Sequence, residues 1–184
     1  MQDNRLYRLF ELAVPGILVG LIAGVTAGSL ALLVGQPPSW ALVTAMTLGV
    51  PLAVAGGGFG LLAAFGKVRM GGFAPAALYW LVAFPVARLL HEVLTKLVLT
   101  GEPGLPPDPL GFLAFQGIIS AGFAIGFLWL HERVAPRWWH KVAPHNEQAG
   151  IVFARYAVHA QRMQKAKQAR SKPRRAAKVS SFVK

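Results

Sequence analysis

Four apolar stretches, at residues 14–34, 41–65, 73–99 and 110–130, are separated by short polar turns. Each is long enough for a helix to cross a hydrocarbon core about 30 Å thick, and none shows the period-two alternation of a strand. The pattern predicts an all-α integral membrane protein with four transmembrane helices packed through small-residue faces. In the first stretch Gly16, Gly20, Gly24 and Gly28 recur at every fourth position. That spacing lines them up on nearly one face of a helix, as a groove without side chains that a second backbone can enter.

The second stretch carries a matching series, Ala41, Ala45, Gly49, Ala53 and Gly57, and is joined to the first by the turn GQPPSW at 35–40. So short a turn makes the two helices antiparallel neighbours, and a hairpin closed groove to groove is expected. In the fourth stretch Gly117, Ala121, Gly122 and Gly126 form a further small face. Pro51 and the run GGGFG at 56–60 weaken the second helix, since proline removes a hydrogen bond and glycine costs about 1 kcal/mol relative to alanine. A kink or unwound segment is expected there.

The flanks divide the rest of the chain. Residues 1–13 place Leu6, Leu9, Phe10 and Ala13 at helical spacing, as a short amphipathic lead-in. Residues 131–170 read as an interfacial segment followed by a basic helix, which starts after Asn146, a good N-cap with Glu147 in the first turn. From 171 to 184 the sequence SKPRRAAKVSSFVK reads as a disordered polybasic tail.

Charge then orients the bundle. Of 19 Lys and Arg, 13 lie at or beyond Arg133, two precede the first span, two (Lys67 and Arg69) sit in the 66–72 turn, and the 35–40 and 100–110 turns hold none. The positive-inside rule puts both termini in the cytoplasm, with the plasma (inner) membrane as the expected location. The net charge of +12 therefore belongs to the tail. Its nearest anionic partners are lipid headgroups at the cytoplasmic face, to which each base contributes about 1 kcal/mol. Nucleic acid is disfavoured, because Phe182 is the one aromatic ring past Tyr156. Arg5 and Arg8 precede an apolar segment too long for a signal-peptide core, so the first span is expected to be retained.

Candidate chemistry is sparse. The chain has no cysteine, which excludes disulfides, iron–sulfur clusters and thiol catalysis. His131 and Glu132 do not open an HExxH motif, because Ala135 stands where the second histidine belongs. GGGFG lacks the Lys-Ser/Thr of a phosphate loop. The remaining constellation is Arg88, His91, Glu92 and Lys96 in the third span. At about 1.5 Å per residue from Phe73, Arg88 lies roughly 22 Å into the bilayer, where a charge requires a partner. Glu92 and Lys96 follow at spacings of four, so an intramembrane ionic ladder is expected, with His91 able to join it. Arg137, Trp138, Trp139, Lys141, Arg155, Arg162 and Lys165 are the candidates for contact with the membrane interface or anionic lipid.

Much packing surface beside little chemistry points to a non-catalytic accessory, assembly or structural subunit of a larger membrane complex. It would dock on other integral membrane subunits through its glycine and alanine faces and its basic tail, with no cofactor and no metal. The alternative is a small transporter or channel that uses Arg88, His91 and Glu92.

Overall fold

The computed structural model describes residues 2–68 and 71–182, with side chains described from residue 5 to residue 169 except at 69, 70 and 167. Among these residues there are five helices and no strand: α1 (Gln2–Leu33), α2 (Pro38–Ala64), α3 (Phe73–Thr100), α4 (Pro109–Val142) and α5 (Glu147–Phe182). The first four are long and apolar enough to cross a membrane. Arg69 lies outside the described residues, and so do the side chains of the 171–184 tail.

Local chemistry sets the helix ends. α1 stops at Gly35, whose left-handed backbone (φ 84°) lets Gly35 N–H reach the Leu32 carbonyl and Gln36 N–H reach that of Ala31. Gly66 ends α2 in the same way, with bonds to Ala63 and from Lys67 to Leu62. α2 begins on Pro38 and α4 on Pro109, where a missing N–H costs nothing. Asp108 caps α4 by accepting from Gly111 N–H at 3.0 Å.

α1 and α2 lie backbone against backbone. A Cβ placed on Gly16 would overlap the Gly56 carbonyl, one on Gly20 the backbone of Leu52 and Ala53, and one on Gly24 that of Gly49 and Ala45. Gly28 meets Ala41 and Ala45, and Gly57 leaves room for Ile17. The unwound segment expected over GGGFG does not form, since α2 is helical from Pro38 to Ala64. Gly56, Gly57 and Gly60 lie against α1 and Gly58 against Tyr79 of α3, so the dispersion gained at close approach offsets their poor helix propensity. Nor is the lead-in a separate element: α1 runs unbroken from Gln2 through Pro15.

Two apolar clusters hold the helices together. In the middle of the bundle Leu52 and Phe59 of α2, Trp80 and Phe84 of α3, and Phe127 of α4 pack with α1 Val19. The rings of Trp80 and Phe127 are 4.5 Å apart and those of Phe59 and Phe127 5.2 Å, near edge-to-face in the second case. At the end of the bundle bearing the chain termini, Leu12, Ala64, Trp139 and Val142 pack with Ala149 and Val152 of α5. α4 continues through the segment expected to lie at the interface, because Ala135, Trp139 and Val142 are buried on this second cluster.

Candidate functional site

The charged group of α3 divides between two faces. Arg88 and Glu92 pair at 3.2 Å with both side chains partly exposed, and the Arg88 guanidinium lies 5.9 Å from the Phe112 ring of α4. Lys96 is not the next rung: its Nζ donates to the Leu105 carbonyl at 3.0 Å, pinning the α3–α4 loop. His91 lies one face round, 8% exposed, with Nδ1 2.9 Å from Thr47 Oγ1 of α2 and 3.3 Å from Thr95 Oγ1. Thr47 donates its hydroxyl proton to the Val43 carbonyl at 2.7 Å, so its oxygen is left to accept from the imidazole or from Thr95. The histidine therefore joins α3 to α2 and leaves the arginine and glutamate to each other.

A second polar group, at the termini end, was not visible in the spacing of residues. Glu11 of α1 is 4% exposed. One carboxylate oxygen takes His145 Nε2 at 2.6 Å and the other takes Asn146 Nδ2 at 2.9 Å. Pro15 has no N–H to give the Glu11 carbonyl, and Trp138 Nε1 supplies the missing donor at 2.7 Å. Trp139 Nε1 reaches the next carbonyl, Leu12, at 3.2 Å. Asn146 also caps α5, accepting from Ala149 N–H at 3.3 Å, and Gln148 donates to Ala64, the last residue of α2. The α4–α5 turn thus clasps the N-terminal third of α1 and the end of α2.

This clasp changes the placement of the expected interface residues. Trp139 is fully buried, its ring between His131 and Tyr156, and Trp138 is half-buried against α1. Trp139 is thereby withdrawn from the surface on which its composition suggested it would stand, while Trp138 keeps part of its ring exposed. Lys141 stays outside, 5.9 Å over the Trp138 ring, and Arg137, Arg155, Arg162 and Lys165 are exposed. Burial, with the Glu132 carboxylate nearby, pushes the Tyr156 phenol above its usual range and keeps it neutral.

The small-residue positions also divide. Gly16, Gly20, Gly24, Gly28, Ala45, Gly49, Ala53 and Gly57 meet across the α1–α2 interface. Gly122 and Gly126 of α4 meet nothing: a Cβ on either would stand in open space. Around them Phe115, Ile118, Ile125 and Trp129 are exposed, Ile118 at 77%.

The described residues form five helices, four of them long and apolar enough to span a membrane and the fifth long and basic, with polar side chains joining helices at His91–Thr47, at Tyr79–Ala55 and around Glu11. No protein-family model, curated protein or solved structure matches the chain.

Proposed function

We propose that the protein is a non-catalytic accessory or assembly subunit of a larger membrane complex, and that it docks on another integral membrane subunit through α4. The observation that carries this is the open glycine pair Gly122 and Gly126. In lipid no hydrophobic drive brings helices together, so a groove without side chains is useful only where a second helix enters it. The glycines of α1 already have their helix, in α2. Those of α4 are available to another chain.

The location follows from charge. Both termini and the 66–72 turn carry the bases outside the spans, which favours the plasma (inner) membrane with these segments in the cytoplasm and the basic tail against anionic headgroups. The transporter reading of Arg88, His91 and Glu92 draws part of its support from a broken helix at GGGFG, and α2 is helical from Pro38 to Ala64. The joints on α3 are better suited to holding helices in register.

The test is purification of the native protein in mild detergent, beside a Gly122→Leu/Gly126→Leu variant. The parent should return with a stoichiometric integral membrane partner, and the variant should fold but return alone. An identical set of companions for both would refute docking through α4.

A further inference from the structure

Between the turn that follows α2 and the outer face of α5 lies a cleft of about 1030 Å³. Arg155, His159 and Arg162 project into it from α5, and Gly66, Val68 and Gly71 form the opposite wall. Their spacing of four and three keeps the three cationic or titratable side chains on one helix face. Gly66 and Gly71 both have left-handed backbone (φ 71° at each), and a Cβ on either would come within 2.8 Å of Arg155 Nη1 or of His159 Nε2. At these two glycines a guanidinium and an imidazole therefore lie close against the backbone.

Among the described residues neither Arg155 nor Arg162 has a carboxylate partner, the ion pairs being Arg88–Glu92 and His145–Glu11. Glu132, an acid close to His159, is half-buried against Gly71, and one carboxylate leaves the two guanidiniums in excess. Ile151, Ala154 and Val158 give the cleft an apolar floor beside its cationic rim. Two planar forks and an imidazole around one opening match the oxygens of a tetrahedral anion, which arginine pairs through two parallel hydrogen bonds.

We propose that this cleft is a binding site for a phosphate group, held by Arg155 and Arg162 with His159 as a further hydrogen-bonding group. The phosphate can belong to an anionic lipid headgroup or be free in solution, and the apolar floor fits the glycerol end of a lipid. The site sharpens the headgroup-facing role of α5 and needs nothing from the α4 docking face.

The full-length protein in zwitterionic detergent is titrated with short-chain phosphatidic acid and, separately, with inorganic phosphate, and bound ligand is counted by native mass spectrometry. The parent should bind one phosphatidic acid saturably. Arg155→Gln/Arg162→Gln should weaken that binding by about ten-fold or more, as loss of charge-assisted bonds requires. Arg137→Gln/Lys141→Gln, an equal loss of charge elsewhere on the surface, should weaken it by less than about two-fold. Should the first variant fail to fold, Arg155→Lys/Arg162→Lys keeps the charge and loses the fork, and an intermediate loss is expected. Competition by inorganic phosphate assigns recognition to the phosphate alone, whereas its failure to compete assigns the site to lipid. Equal losses in the two glutamine variants, or no saturable binding of either probe, would overturn the proposal, and neither result would bear on the companions retained through Gly122 and Gly126.

Discussion

α1 and α4 both carry glycines at spacings of four, and the two rows end in opposite situations. The α1 row, Gly16 to Gly28, is filled along its whole length by the backbone of α2. The α4 pair, Gly122 and Gly126, looks out of the bundle. The difference comes from what lies next in the chain. α1 is followed after a short turn by a helix with its own small stripe, so the two grooves can close at once. α4 meets α3 through Trp80, Phe84, Phe123 and Phe127, whose rings hold the helices apart on a different face from the glycines. A row of glycines thus states that a backbone can approach; the bulk of the neighbouring helix decides whether one does.

The largest effect should come from filling the closed groove. Gly20→Leu drives a side chain into the Leu52 and Ala53 backbone, which has no rotamer to yield, and should cost about 3 kcal/mol or more, the upper end for overpacking. Loss of helical circular dichroism during a titration from mild detergent into SDS measures it. A loss below about 1 kcal/mol would mean that the two helices are not in backbone contact.

The clasp that anchors α1 comes next. Glu11→Ala strands one donor of the buried Asn146 amide, while the half-exposed His145 can turn to water, and should cost about 1–3 kcal/mol in the same titration. Trp138→Phe removes the donor that serves the carbonyl freed by Pro15, at about 1–2 kcal/mol. In a Pro15→Ala background the helix regains its own N–H, so the same Trp138→Phe change should cost measurably less. An unchanged cost would show that the indole contributes packing rather than its hydrogen bond. Least costly of all, Gly122→Leu/Gly126→Leu should not destabilise the protein, because open space receives both side chains and leucine is the better helix former.

Much of this architecture was legible in the chain. Four helices long and apolar enough to span a membrane could be read because length and apolarity are local properties, and the α1–α2 hairpin because both stripes and the short turn lie within 14–65. The Asn146 cap and the Arg88–Glu92 pair were legible for the same reason, being fixed by spacings of three and four on one helix. The clasp was not, since Glu11 and His145 are 134 positions apart and neither reveals its partner. His91 was drawn toward Arg88 by sequence distance, while Thr47 competes for it from another helix. Thr95, one turn beyond His91, carried a signal that could have been used. Trp138 and Trp139 looked alike in composition, yet adjacent residues on a helix point about 100° apart, and only one of them faces the core. The GGGFG run looked like a break because its cost is local and its compensation, the approach of Gly16, is not.

The contrast between the closed and the open glycine rows is tested most directly by photo-crosslinking in native membranes. A photoreactive residue is placed at Ile118 or Ile125, beside the α4 glycines, and in parallel at Val25 or Val54, which are equally exposed on α1 and α2. A discrete adduct with a second membrane protein from the α4 positions, and none from Val25 or Val54, is the predicted result. Adducts from all four positions alike, or from none, would contradict the assignment of α4 as the docking helix.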